Sequence, residues 1–206
     1  MHTVPESLTI YQVDAFTNKL FAGNPAGVCP LERWLPDQLM QQIAQENNLS
    51  DTAFFIPHGE GEYKLRWFTP TTEVDLCGHA TLAATHVLYN HLQESQEKLT
   101  FHTLSGPLIV RKENGGYEMD FPADPVEKTD SPETLVLSLG TQPEEIWRGK
   151  DDYLVLVKDE QTLRYINPDL RIMKRVNARG IIVTARGKDF DFVSRFFAPQ
   201  SGVDED

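Results

Sequence analysis

The sequence predicts an α+β fold made of two related halves, and three observations carry that expectation. Strand-like and helix-like stretches alternate along the 206 residues. One segment returns without gaps: Arg66-Trp-Phe-Thr-Pro-Thr-Thr-Glu-Val-Asp-Leu-Cys77 lies over Arg195-Phe-Phe-Ala-Pro-Gln-Ser-Gly-Val-Asp-Glu-Asp206. Arg, Phe, Pro, Val and Asp are identical in register, the mark of a duplicated unit. Finally, the alanine-rich run from Gly78 to about Asn90 is apolar over most of a helix circumference. Such a helix packs inside a structure rather than on its surface.

The elements follow in order. Leu8–Asp14 alternates apolar and polar side chains, the pattern of a half-buried strand. A turn at Gly23-Asn24-Pro25 precedes an extended run, Ala26–Cys29. Pro36–Asn48 reads as a helix with proline in its first turn and a stripe of Leu39, Met40, Ile43 and Ala44. Strands are expected at Thr52–Ile56 and Lys64–Thr69, the latter stopped by Pro70, and the apolar helix follows. Leu99–Thr103, Pro107–Lys112 and Tyr117–Phe121 read as further strands, with a hairpin turn at Gly115-Gly116. Phe16, Trp67, Phe68, Phe196 and Phe197 are expected in cores. The Pro122-to-Pro125 break divides the chain into a first half, 1–121, a linker, 122–130, and a second half, 131–206. There a helix at Ser131–Leu139 precedes strands at Ile146–Gly149, Tyr153–Val157, Ile181–Ala185 and Phe190–Phe197, with a further helix at Pro168–Val176.

Composition excludes some classes of function. Thirty-one acidic against 19 basic residues give a net charge of −12. That argues against nucleic acid and anionic membranes, both of which call for a basic face. Residues 1–15 lack the basic start and apolar stretch of a secretion signal. No run approaches the roughly 18 apolar residues of a membrane span. Two cysteines, Cys29 and Cys77, are too few for a disulfide framework. A soluble, cytoplasmic protein is the expectation.

Candidate chemistry gathers at two places. Cys77-Gly78-His79 opens the apolar helix, and backbone N–H groups at a helix start attract anions. His79 there reads either as a packed, capping histidine or as a neutral hydrogen-bonding group, since a helix start disfavours imidazolium. Cys77 reads as a small packed residue. Asn48-Leu-Ser-Asp51 lies at the exit of the first helix, where Asp51 reads as a turn cap. Ser50 reads as a turn residue or substrate hydrogen-bond donor, with no paired base evident for a nucleophile. A zinc site from Cys77, His79 and His86 fits no standard spacing, so no metal is expected.

These residues carry a resemblance. Asp14-Ala-Phe-Thr17, Gly23-Asn-Pro25, Ile43-Ala44 with Asn48-Leu-Ser-Asp-Thr-Ala-Phe54, and Arg66-Trp-Phe-Thr-Pro70 before Leu76-Cys-Gly-His-Ala-Thr81 resemble the PhzF family. Thr103-Leu-Ser-Gly-Pro-Leu108 and Ser194-Arg-Phe-Phe-Ala-Pro199 fit as well. These are phenazine-biosynthesis-like isomerases of the diaminopimelate-epimerase fold. The resemblance implies two pseudo-symmetric halves, each a curved, mostly antiparallel sheet around a central helix, with an active site in the cleft between them. It implies a homodimer and a cofactor-independent isomerase that moves a proton between carbons of a small carboxylate-bearing substrate. The family's acid/base glutamate falls on Asp51, one methylene shorter, and its histidine on His79. Its opposing acidic group aligns with Glu205-Asp206, so Asp206 is the third candidate catalytic residue. Ser50, Cys77, Gly78 and Ala80 are the candidate substrate-binding residues. On the same resemblance the second half lacks its closing portion here, and a further polypeptide segment is expected to complete it. The alternative is a weak or inactive member that binds a metabolite or protein partner through the same cleft, which the Glu-to-Asp change favours.

Overall fold

The computed structural model describes residues 7–19 and 21–206. The first six residues of the stretch read for a secretion signal lie outside the described residues. Two units partition the chain, Met1–Pro122 and Ala123–Asp206.

The first unit threads β1 (Tyr11–Ala15), β2 (Asn24–Pro30), α1 (Asp37–Asn47), β3 (Asp51–Gly59), β4 (Glu62–Phe68), β5 (Glu73–Val74), α2 (Gly78–Asn90), β6 (Lys98–Thr103), β7 (Gly106–Glu113) and β8 (Gly116–Asp120). Its eight-stranded sheet has the order β1-β2-β3-β4-β6-β7-β8, with β5 attached to β4. Among the described residues of this sheet, only β2/β3 and β4/β6 pair in parallel. A parallel step needs a crossover, and those steps are the ones spanned by α1 and α2.

The sheet curls because its inner residues close on one helix. Ala80, Ala83, Ala84, Val87 and Leu88 of α2 are buried against Val28, Phe55, Leu65, Trp67, Phe101 and Val110, which come from five different strands. The helix's buried hydroxyls are satisfied locally: Thr85 Oγ1 donates to the Thr81 carbonyl at 2.9 Å, and Thr81 Oγ1 to the Cys77 carbonyl. On the other side of β2–β4, Met40 and Ala44 of α1 pack on Cys29, Phe54 and Phe68. That is the stripe that the spacing in α1 predicts.

Two local expectations change. The β7–β8 turn is Asn114-Gly115, both at positive φ (49° and 79°), and Gly116 already pairs with Glu113. Asn-Gly suits a two-residue turn in which both residues take the left-handed region. Phe16, expected in a core, is 66% exposed at φ 61°, in the turn that ends β1. Trp67, Phe68 and Phe197 are buried as expected, and Phe196 is half-buried.

The second unit comprises β9 (Glu127–Lys128), α3 (Glu133–Leu139), β10 (Glu145–Arg148), β11 (Asp152–Leu156), α4 (Glu160–Tyr165), α5 (Leu170–Met173), β12 (Gly180–Arg186) and β13 (Phe192–Phe197). A short 3-10 turn, Pro199–Ser201, follows. The strands order β13-β12-β11-β10-β9. β9 lies inside the stretch read as a linker. Leu135, Leu139, Leu163, Ile166 and Met173 from the helical segments cover Val155, Ile181, Val183 and Phe197. Among the described residues this unit has no helix enclosed by the sheet as α2 is.

The two units nonetheless run one course. β1/β2 and β10/β11 are antiparallel, β2/β3 and β11/β12 are parallel across helical crossovers, and β3/β4 and β12/β13 are antiparallel hairpins. The repeated arginines end the series alike. Arg66 forks onto Glu73, with both contacts at 2.6 Å, and lies over the Phe68 ring. Arg195 forks onto Glu205 at 2.6 and 2.7 Å and lies over the Phe197 ring. Identical residues in the repeat thus hold equivalent positions.

Candidate active site

Three chain segments of the first unit meet at the start of α2. The loop from β4 to α2 is fixed at its root by Thr69, whose Oγ1 accepts from the N–H groups of Thr71 and Thr72 at 3.2 and 3.1 Å. The Arg66 fork holds Glu73 in the same loop; the hydrogen bonds to Glu73 first, and to Asp37, leave the guanidinium more firmly protonated than usual, against the opposing effect of burial. Cys77 then enters α2 in an extended conformation, followed by Gly78 and His79. The second segment is the turn from α1 to β3, which carries Ser50 and Asp51. The third is the head of β2, with Asn24.

The exit of α1 is closed by Asn48, in the left-handed region at φ 52°, whose N–H donates to the Ala44 carbonyl. Asp51 is therefore not the cap of that helix. It is the first residue of β3, registered beside Ala26 of β2 and only 5% exposed. Burying a carboxyl to this degree costs free energy unless it is compensated.

His79 is 4% exposed. Its Nε2 is 3.1 Å from Ser50 Oγ, and its Nδ1 is 3.5 Å from Cys77 Sγ. Ser50 Oγ donates in turn to Asn24 Oδ1 at 3.4 Å. The amide oxygen can only accept, so the serine proton points to Asn24. Cys77, His79, Ser50 and Asn24 thus form one continuous line of polar contacts, in which the direction of each histidine hydrogen bond depends on the tautomer. Sequence spacing hid the Ser50–His79 pair, because 29 residues separate them. Asn24 was visible only as part of a Gly-Asn-Pro turn.

Asp51, Cys77 and His79 each bring one ligand atom within 4.8 Å of the others, and all three are buried. A carboxylate oxygen, a thiol sulfur and an imidazole nitrogen form a donor set suited to zinc rather than magnesium. The third member of the group with Cys77 and His79 is thus Asp51, not His86.

Gly78 lies partly exposed between two buried neighbours. A Cβ there would first meet the Phe121 ring, at 3.9 Å, so the backbone is open to close approach. Ala80 is fully buried in the core. What it can offer a ligand is its N–H, one of the unpaired donors of the first helical turn. Asp206 belongs to the second unit, where its N–H donates to the Phe196 carbonyl at 3.0 Å.

Comparison with known proteins adds to this geometry. The model of the phenazine biosynthesis-like protein family matches residues 13–206. An uncharacterized isomerase of Pseudomonas aeruginosa is 52% identical over 199 residues, which cover 97% of this chain and 76% of that protein. The crystal structure of a PhzF-family phenazine biosynthesis protein from Enterococcus faecalis matches with TM-score 0.87 at 46% identity, over 97% of this chain and 76% of that one. A probable proline racemase from Agrobacterium radiobacter K84, solved with bound carbonate, reaches TM-score 0.61 at 11% identity, covering 97% and 72%, a likeness of fold alone.

Proposed function

The chain belongs to the phenazine biosynthesis-like family, and from that premise we propose that it is an isomerase shifting a proton between carbons of a small carboxylate-bearing metabolite. The observation that carries the reading is the buried carboxyl of Asp51 grouped with His79, whose Nε2 lies 3.1 Å from Ser50 Oγ. In this reading Asp51 takes a proton alpha or vinylogous to the substrate carboxylate and returns it to a second carbon. His79 supports the transfer through its hydrogen-bond line. The substrate carboxylate is received by the first N–H groups of α2, where Gly78 leaves the backbone open. Hydrogen moves as a proton throughout, so the reaction needs no redox cofactor. Family resemblance alone supports an assisting role for Asp206.

The test is exchange of carbon-bound hydrogen in deuterated water, followed by NMR over a panel of small carboxylates first screened for binding. Asp51→Asn is expected to lower exchange by about 10²–10⁴-fold, while Asp51→Glu retains a measurable rate. Undiminished exchange in Asp51→Asn overturns the assignment. A second reading, a binder without turnover, is favoured by the short reach of Asp51. Carboxylates that bind while the unmutated chain exchanges none of them would establish it.

A further inference from the structure

A second cluster lies away from this site, where the β3–β4 turn meets β6. Pro57 pairs with Tyr63 but Gly59 pairs with Glu62, so the register slips at His58, the inserted residue of a bulge. Bulges re-aim side chains, and this one brings the His58 ring to 5.0 Å from that of His102, at 77°. His102, on β6, places Nε2 3.0 Å from Glu62 Oε2 on β4. One ligand atom from each of the three residues lies within 4.8 Å of the others. Three adjacent strands therefore present two imidazoles and a carboxylate at one spot.

We propose that His58, Glu62 and His102 form a binding site for a divalent ion of the zinc class. Two imidazole nitrogens and one carboxylate oxygen match that ion's preferred donors, with water completing the shell. Ligand atoms around a tetrahedral zinc sit about 3.3 Å apart. Side chains that are 39% and 47% exposed, as those of His102 and Glu62 are, reach this spacing by small rotations. The ion takes the place of the hydrogen between His102 Nε2 and Glu62 Oε2, the neutral imidazole then carrying its N–H on Nδ1. Lys64, registered opposite His102, opposes the ion's charge, and the Glu62 carboxylate counters it.

The position gives the ion a mechanical task. The parallel seam between β4 and β6 has three residue pairs, Glu62 with Thr100, Tyr63 with Phe101 and Lys64 with His102. Parallel pairing is the weaker kind, and a bulge adjoins it. An ion bound to β3, β4 and β6 together would staple the sheet at this short parallel seam.

Titration calorimetry with zinc chloride near neutral pH tests this, with Cys77→Ala as the background so that the buried thiol cannot contribute. One equivalent is expected to bind. Even loss of a residue behind a metal ligand weakens binding about 10–100-fold, so His58→Ala or His102→Ala should weaken it at least that much, and the control His86→Ala should not. Histidine ring NMR of the unmutated chain needs no variant to fold, and zinc should shift the His58 and His102 signals selectively. Binding that survives both alanine variants, or ring signals that zinc leaves unmoved, overturns the proposal.

Discussion

Cys29 sits in β2 with no solvent exposure, packed against Met40 and Phe54. Burial disfavours the thiolate and pushes the thiol from 9.0 up to about 11. Below pH 9.0 the group is protonated whether the chain is folded or not, and it has no effect on the balance. Between pH 9.0 and about 11 the unfolded chain gives up its proton first, so the folded state loses ground as pH rises. The loss across that window should be about 2–3 kcal/mol. Tyr63 and Tyr89, both also raised mainly by burial, add losses at higher pH. Urea unfolding of the unmutated chain and of Cys29→Ala at both ends of the window isolates the thiol. Parallel pH profiles for the two would disprove its contribution. Residues of the site were legible where a motif held them together, as in Cys77-Gly78-His79. The burial of Asp51 at the start of β3 was not legible from spacing, because a helix exit and a buried strand start look alike in sequence. Only the left-handed Asn48 shows which residue ends the helix.

Among the elements, α2 was the most legible, and its bounds are those its composition suggested. Its small residues let the sheet approach on every side: Ala80, Ala83 and Ala84 are all fully buried. Filling one of these contacts leaves no direction in which to relax. Ala83→Leu should therefore destabilise the first unit by about 1–3 kcal/mol, as overpacking does. Gln45→Ala, on the exposed side of α1, should change stability by less than about 0.5 kcal/mol. Chemical unfolding compares the two, and a neutral Ala83→Leu would mean that the curl is looser than its packing implies. The long strands were legible from alternation and turn residues. β5, β9 and α4 were not, for they are two, two and six residues long and leave no periodicity to read. α4 does carry a local signal: the Asp159 side chain accepts from Thr162 N–H at 2.7 Å. Arg195 then secures the other end of α4 by donating to the Leu163 and Ile166 carbonyls at 3.1 and 2.6 Å. That bond could not be foreseen from the repeat, because Arg66 makes its additional contact to a carboxylate, Asp37.

For the molecule as a whole, the charge of −12 acts against both folding and the proposed ligand. A strong excess of one sign repels itself in the compact state, and a carboxylate approaches against that field. Attraction must then be local, from the start of α2, where helix N–H groups act over the first turn. Added salt distinguishes the long-range effect from the local ones. At physiological ionic strength the screening length is about 8 Å, short enough to mute repulsion between distant carboxylates. The forks of Arg66 on Glu73 and Arg195 on Glu205 are bidentate and part-buried, with arginine exposures of 20% and 23%, and are screened less. Sodium chloride should therefore stabilise the fold. A gain of about 1 kcal/mol would raise the thermal midpoint by roughly 2–4 °C for a chain of this size. The measurement is a thermal melt at low and at physiological sodium chloride, with sulfate avoided because it favours burial by another route. A midpoint that falls with salt would mean that the arginine forks outweigh the diffuse repulsion, and Arg66→Met would then abolish part of the fall.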